Sequence, residues 1–162
     1  MITVRRALPD DAVEILNVHF AAVHGSPVDY YDPDLLDDWS PPVDLARISS
    51  YVERFQKGEE ETLVAEMDGK IVAFGAYVIK ANELRAFYVH PRVSGQGVGR
   101  ELMKNLEAEA AFAGLGWLTL NSSLNAETFY LAQGFESDGL GKYVLPTGRE
   151  MTCVRMYKFL TR

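Results

Sequence analysis

The sequence is most informative at first through what it has little of. It holds one cysteine, Cys153, in 162 residues, so an internal disulfide is excluded, and no Cys/His pairing has the spacing of a zinc site. No apolar run approaches the ~20 residues that span a bilayer, and Met1-Ile2-Thr3-Val4-Arg5-Arg6 lacks the apolar stretch of a signal peptide. Positive charge is scarce: 16 Lys and Arg stand against 23 Asp and Glu, a net charge of -7 with a pI near 5.0. That balance argues against a nucleic-acid binder, which needs a basic face. There is no repeat, linker or low-complexity segment. The apolar (48%), aromatic (11%) and charged (24%) fractions are those of a globular protein, and the length suits one domain with a core of its own. The expectation is a cytoplasmic, acidic, single domain over residues 1–162.

The periodicity gives the element order. Ile2 to Arg6 reads as a strand. Pro9-Asp10-Asp11 opens a helix, proline fitting the first turn and the aspartates its positive end, and Ala12, Ile15, Leu16, Phe20 and Val23 keep the spacing of one buried stripe. Gly25-Ser26-Pro27 ends it. Residues 29–42 read as an irregular acidic loop with Asp29, Asp32, Asp34, Asp37 and Asp38 among Tyr30, Tyr31 and Trp39, and Leu45, Ile48, Val52 and Phe55 mark another short helix. Thr62 to Met67 and Ile71 to Ile79 alternate with period two around Asp68-Gly69, a strong hairpin signal. Asn82 to Val89 is a further strand, Val98 to Ala113 a helix, Trp117 to Asn121 a strand, Ala126 to Gln133 a short helix, and Phe135 to Leu160 a hairpin turning at Pro146-Thr147-Gly148. This order predicts an α/β (α+β) fold with a mixed, mostly antiparallel sheet and one crossover helix.

Ser94-Gly95-Gln96-Gly97-Val98-Gly99 lies between a strand and a helix. Glycines let a backbone approach a ligand closely, and the free N–H groups of a first helical turn bind phosphate. No Gly-Lys-Ser/Thr follows, which excludes a Walker loop, and the late position in a meander disfavours a dinucleotide-binding βα unit. Together with Glu83-Leu84-Arg85-Ala86-Phe87-Tyr88-Val89-His90-Pro91 before it, the loop resembles the central motif of the GCN5-related N-acetyltransferases. Asn125-Ala126-Glu127-Thr128-Phe129-Tyr130-Leu131-Ala132-Gln133-Gly134-Phe135 resembles the family's second signature. Within the family, Tyr30, Trp39 and the Ser122 to Ala126 segment are similar to small bacterial acetyltransferases related to YafP. The pattern departs at Ser94, where the family usually has Gln or Arg; Arg92 stands two residues earlier.

The resemblance implies a sheet of six to seven strands, splayed between its fourth and fifth, and acetyl-CoA (coenzyme A) as co-substrate. It implies that Ser94, Gly95, Gln96, Gly97, Val98 and Gly99 hold the pyrophosphate mainly through main-chain N–H groups, with Arg100 adding charge or standing solvated. Phe87, Tyr88 and Val89 would run beside the pantetheine arm, and a backbone N–H near Val89 would face the developing oxyanion, a contribution of ~3 kcal/mol. Asn125 would contact the pantetheine or cap the short helix, next to Phe129. Tyr130 is the candidate acid for the leaving thiolate, a phenol of pKa about 10 being a competent donor at neutral pH. Glu83 is the candidate base acting through water, with His24 and His90 as other titratable groups.

The implied activity is direct transfer of an acetyl group to a primary amine of a small molecule or peptide in a ternary complex. The alternative is a catalytically silent CoA-binding module of the same fold. The acceptor site is expected between the first two helices and the last hairpin, with His24, Tyr30, Trp39, Ser122 and Ser123 as candidate contacts. Its aromatics and acids suit a cationic amine. A homodimer through a sheet edge or the C-terminal hairpin is a further expectation.

Overall fold

The computed structural model describes residues 1–161. Seven strands form one sheet in the order β1-β2-β3-β4-β5-β7-β6: β1 (Ile2–Arg6), β2 (Glu61–Met67), β3 (Lys70–Val78), β4 (Glu83–Val89), β5 (Trp117–Ser122), β6 (Glu136–Val144) and β7 (Glu150–Phe159). Five α-helices accompany them: α1 (Ala12–Val23), α2 (Pro33–Trp39), α3 (Leu45–Gln56), α4 (Val98–Phe112) and α5 (Glu127–Ala132). No helix among the described residues is long and apolar enough to cross a membrane.

The β2–β3 hairpin turns at Asp68 and Gly69, both at positive φ (52° and 75°), as a two-residue turn matched to strand twist requires. β3 is buried along nearly its whole length because helices cover both sheet faces. Alternate residues serve two clusters. Leu63, Ala65, Ala73 and Leu84 pack with Leu102, Met103 and Leu106 of α4. Val64, Ile71 and Phe74 pack with Ile15 and Val18 of α1. The α1 stripe is the expected one, with Val18 added and Phe20 only half-buried. An Arg5 fork holds both carboxylate oxygens of Asp11 (2.8 and 3.0 Å), and the Leu8 N–H donates to the same carboxylate at 2.7 Å. These bonds tie β1 to the start of α1.

One element differs from the expectation. Residues 29–42 are not a loop throughout: Pro33 to Trp39 is helical. Proline sits in the first turn, Leu35 and Leu36 are buried, and Leu35 packs with Leu145 and Met151 of the last hairpin. The acidic residues masked this, since only two leucines and a tryptophan mark its apolar side.

The feature that matters for function is a parting in the middle of the sheet. β4 and β5 run parallel and pair only at Glu83 and Thr119, beside a bond from the Thr119 N–H to the Asn82 carbonyl (2.8 Å). Beyond that point they diverge, leaving β1–β4 and β5-β7-β6 as two wings.

Candidate active site

The open edge of β4 follows from its pairing with β3. The register places Ala73 opposite Val89 and Gly75 opposite Phe87, and the His90 N–H donates to the Val72 carbonyl at 2.8 Å. Antiparallel pairs alternate between hydrogen-bonded and non-bonded. The bonded positions on β4 are therefore Tyr88 and Ala86, while the N–H and C=O groups of Phe87 and Val89 turn away from β3 and into the parting. A register shift between Ala76 and Tyr77 puts an extra residue, Arg85, into β4 as a bulge. Such bulges often lie beside active sites and re-aim neighbouring side chains.

At the end of β4 the chain enters the glycine loop. Gly95 and Gly97 have φ of 78° and 83°, conformations that cost a residue with a Cβ about 1–2 kcal/mol, and a Cβ on either would meet nothing within 4 Å. The loop is thus shaped for its backbone, with clear space in front. The N–H groups of Ser94 and Gln96 are spent on Pro91 and Val93 carbonyls, and the first helical bond of α4 runs from Glu101 to Gly97. The amides of Gly97, Val98, Gly99 and Arg100 precede it and remain as donors at the positive end of a 15-residue helix. Gly99 is glycine for a different reason: a Cβ there would stand 2.9 Å from Cε1 of Phe129. The second signature thus packs directly on the first. Arg100 is exposed, in a groove with Lys104, Lys158, Glu101 and Glu107, and Ser94 lies on the loop surface at the rim of the main cleft.

On α5, Phe129 stacks on Phe87 (5.5 Å between centroids) and Tyr130 meets the edges of Phe87, Phe129 and Phe135 at 6.2, 5.3 and 5.8 Å. Both adjacent residues therefore face inward, because the short helix lies in the fork of the two wings. Tyr130 lines the cleft and its hydroxyl donates to no protein group among the described residues; burial pushes the phenol above its ordinary value, so it holds its proton. Asn125 does not cap α5. Its Oδ1 is buried and without a partner among the described residues, a cost the fold bears unless a ligand N–H supplies the bond.

The cleft encloses about 1380 Å³ and runs from Ser94 past Val89, Asn125 and Tyr130 to α1 and α3. Glu83 and Arg85 line it as an ion pair (2.7 Å). Trp39 also lines it and donates to the Tyr88 hydroxyl at 3.2 Å, while burial pushes Tyr88 up to about 12. Ser123 is on the wall, but Ser122 is buried and donates to the Ser123 carbonyl at 2.7 Å. His24 turns elsewhere: it donates to the Ser40 carbonyl (2.8 Å) and stacks on Phe20 (4.2 Å). Tyr30 is 54% exposed, outside the lining. His90 accepts from the Arg92 N–H (3.2 Å), a bond that closes the turn after β4, and burial lowers its pKa. Of the five aspartates, Asp38 alone lines the cleft, and it faces Arg149 at 3.8 Å.

Four residues of this wall escaped the sequence reading: His19, Arg47, Tyr51 and Arg54. His19 carried a usable signal, a titratable residue at helical spacing on the stripe of Ile15 and Val23. Burial and the neighbouring Arg47 push its imidazole down to about 3, so it is neutral. Its Nδ1 accepts from Arg47 Nη2 (3.1 Å) and stands 2.8 Å from Ser40 Oγ.

A mixed sheet parted at its middle strands, with a glycine loop and a helix end beside the gap, defines the class of GCN5-related N-acetyltransferase folds. The chain belongs to the acetyltransferase (GNAT) domain family, whose model matches residues 36–144. Among solved structures it is similar to a GCN5-related N-acetyltransferase, described as "Aminotransferase, Class-II", from Rhodopseudomonas palustris. That likeness has a TM-score of 0.84 and 25% identity over 98% of this chain and 95% of that one. The fold is shared with the PaiA N-acetyltransferase of Thermoplasma acidophilum, solved with coenzyme A, at a TM-score of 0.73 and 18% identity over 98% and 99% of the two chains. A curated relative, the IAA acetyltransferase of Azospirillum brasilense, is 34% identical over 84 residues, 48% of this chain and 55% of that protein. The match therefore spans about half the length of that relative.

Proposed function

We propose that this protein moves an acetyl group from acetyl-CoA to a primary amine, by direct transfer with both substrates bound. The observation that carries the proposal is the parting between β4 and β5. It turns the backbone groups of Phe87 and Val89 into a cleft that Tyr130 also lines, and whose rim at Ser94 adjoins the free amides of the glycine loop. The residues fit coenzyme A: unpaired strand groups suit the amides of a pantetheine arm, Asn125 Oδ1 awaits a donor, and the start of α4 suits a pyrophosphate. Acetyl-CoA supplies an acetyl thioester, and what remains is proton management and charge stabilisation by the chain.

Val89 offers its backbone N–H where negative charge develops on the carbonyl oxygen. Tyr130 hands its proton to the departing thiolate. Glu83, held by Arg85 at 2.7 Å, takes the proton of the attacking ammonium through water. Direct transfer is favoured over an acetyl-enzyme on sulfur because Cys153, the one cysteine, is buried and burial raises its thiol pKa; the thiolate is the nucleophile of such a route. Initial rates over a grid of acetyl-CoA and amine concentrations test this. Direct transfer gives intersecting double-reciprocal lines; parallel lines, with acetyl label retained on the protein, would overturn it. A Glu83→Gln variant is expected to lose the acidic limb of the kcat/KM profile, and an unchanged limb would remove Glu83 from the base role.

A further inference from the structure

The half of the cleft beyond β4 does not share the acidic excess of the whole chain. Its lining includes Arg47, Arg54 and Arg85 together with Asp38, Glu60 and Glu83. All three carboxylates are taken. Glu83 holds Arg85 at 2.7 Å, Glu60 holds Arg54 at 3.6 Å, and Asp38 faces Arg149 at 3.8 Å. Arg54 further lies over the Tyr51 ring, 5.3 Å from its centroid. Arg47 is the exception. Its guanidinium donates to the Pro41 carbonyl, to Ser40 Oγ (3.2 Å) and to His19 Nδ1 (3.1 Å), all neutral acceptors. The nearby Asp44 carboxylate accepts the Arg47 backbone N–H at 2.8 Å as the cap of α3, and it lies outside the cleft lining.

Arg47 is therefore a half-buried cation that faces the cleft with no carboxylate partner among the described residues. A guanidinium has five N–H donors and keeps its charge throughout the accessible pH range, so these neutral acceptors leave donors unspent. Burying an unpaired charge is costly, and an incoming anion relieves that cost. Beside it, the Nδ1 of His19 is occupied as an acceptor, which places the imidazole proton on Nε2 as a further donor. Once each lining carboxylate is set against the arginine it holds, Arg47 is the cation left over, with the exposed Asp44 carboxylate acting on it from outside the lining and the imidazole neutral. One charge and a planar fork suit a carboxylate monoanion better than a phosphate dianion. The surrounding wall, Trp39, Tyr51, Phe74 and Tyr88, is aromatic.

We infer that the acceptor is an amine carrying a carboxylate, seated by the Arg47 guanidinium with His19 beside it, against an aromatic wall. This rests on the acetyl-transfer reading above and adds a carboxylate to the expected cationic amine. Two measurements separate its failure from the failure of that reading. The first is turnover with acetyl-CoA on matched pairs, L-phenylalanine against phenethylamine and L-tryptophan against tryptamine. The carboxylated member of each pair should have the higher kcat/KM by about 30-fold, a charge-assisted bidentate contact being worth this much. In Arg47→Met the ratio should fall to near one, and in Arg47→Lys, which keeps charge without the fork, to an intermediate value. The second is calorimetric binding of N-acetyl-L-phenylalanine in the presence of CoA, which needs no turnover. Wild type should bind it and Arg47→Met should bind it at least tenfold more weakly, while both bind CoA alike, a check that the variant is folded. Equal or better use of the carboxylate-free amines, or binding of the N-acetyl acid that is absent in wild type or indifferent to Arg47, overturns the inference. Binding without turnover of any amine leaves the carboxylate site standing and overturns the acetyl-transfer reading instead.

Discussion

The two halves of the cleft are built from different materials. The half that runs along β4 presents chiefly backbone, the strand groups of Phe87 and Val89 that β3 leaves unpaired, and just past its rim at Ser94 stand the amides of Gly97, Val98, Gly99 and Arg100. The half under α1, α2 and α3 presents side chains, with Trp39, Tyr88, His19 and Arg47 joined by hydrogen bonds and ring contacts. Backbone recognition demands particular conformations and leaves glycine spacing as its trace. Side-chain recognition demands only that some residue of suitable chemistry reach the spot, from whichever element passes by. The first kind is written in a short motif, and the second is scattered over 70 or so residues with no pattern of its own.

The sharpest test of this contrast lies where the halves meet. Tyr130→Phe removes a proton donor and leaves the aromatic cluster intact, so kcat should fall by about 100-fold with CoA affinity within twofold of wild type, as steady-state rates and calorimetry would show. A change confined to CoA affinity would make Tyr130 a packing residue. On the backbone half, Gly99→Val drives a side chain into Phe129, 2.9 Å away, and CoA affinity should weaken about 30-fold, overpacking costing ~1–3 kcal/mol. Acceptor binding measured at saturating CoA should barely change, and a loss on both sides alike would erase the distinction.

On the side-chain half, pH is the probe. The His19 imidazole is depressed to about 3 in the folded protein against about 6.5 unfolded. Above 6.5 neither state binds the proton. As the pH falls below 6.5 the unfolded chain gains it and the native state does not, so stability declines until about pH 3. The loss attributable to His19 is about 2 kcal/mol by pH 5, seen as a steeper acid-side fall in Tm than in His19→Gln. Equal slopes would mean that His19 is not held neutral. The smallest effect belongs to Asn125. Replacing it with leucine removes an unpartnered buried oxygen, so the free protein should keep or gain stability while CoA binding weakens about fivefold. Weakened stability with unchanged CoA binding would make it a structural residue.

How much was legible in the sequence follows the same division. The Asp68-Gly69 hairpin, the period-two strands, the α4 stripe and both signatures were visible, because each is a local rule about turns, faces or phosphate binding. The parting at β4 and β5 came from resemblance, since nothing in the strand sequences states that their pairing ends after Glu83 and Thr119. α2 was hidden by its acidic composition. The acceptor residues were read by type and neighbourhood, which favoured His24 and Tyr30. The structure instead spends His24, just past the end of α1, on the Ser40 carbonyl and leaves Tyr30 outside, while His19, five residues earlier and inside α1, reaches the wall. Where a helix ends and which face it turns inward decide such a choice, and composition does not rank the two histidines.

The central claim is that the cleft performs acetyl transfer and does not merely hold a cofactor. Release of free thiol from acetyl-CoA, followed with and without added amine and with the acetylated amine identified by mass, tests it most directly. Amine-dependent thiol release in equal amount to acetylated amine is expected, slowed about 100-fold in Tyr130→Phe. Tight CoA binding with no amine-dependent release over a broad panel of amino acids, polyamines, aminoglycosides and peptides would contradict it.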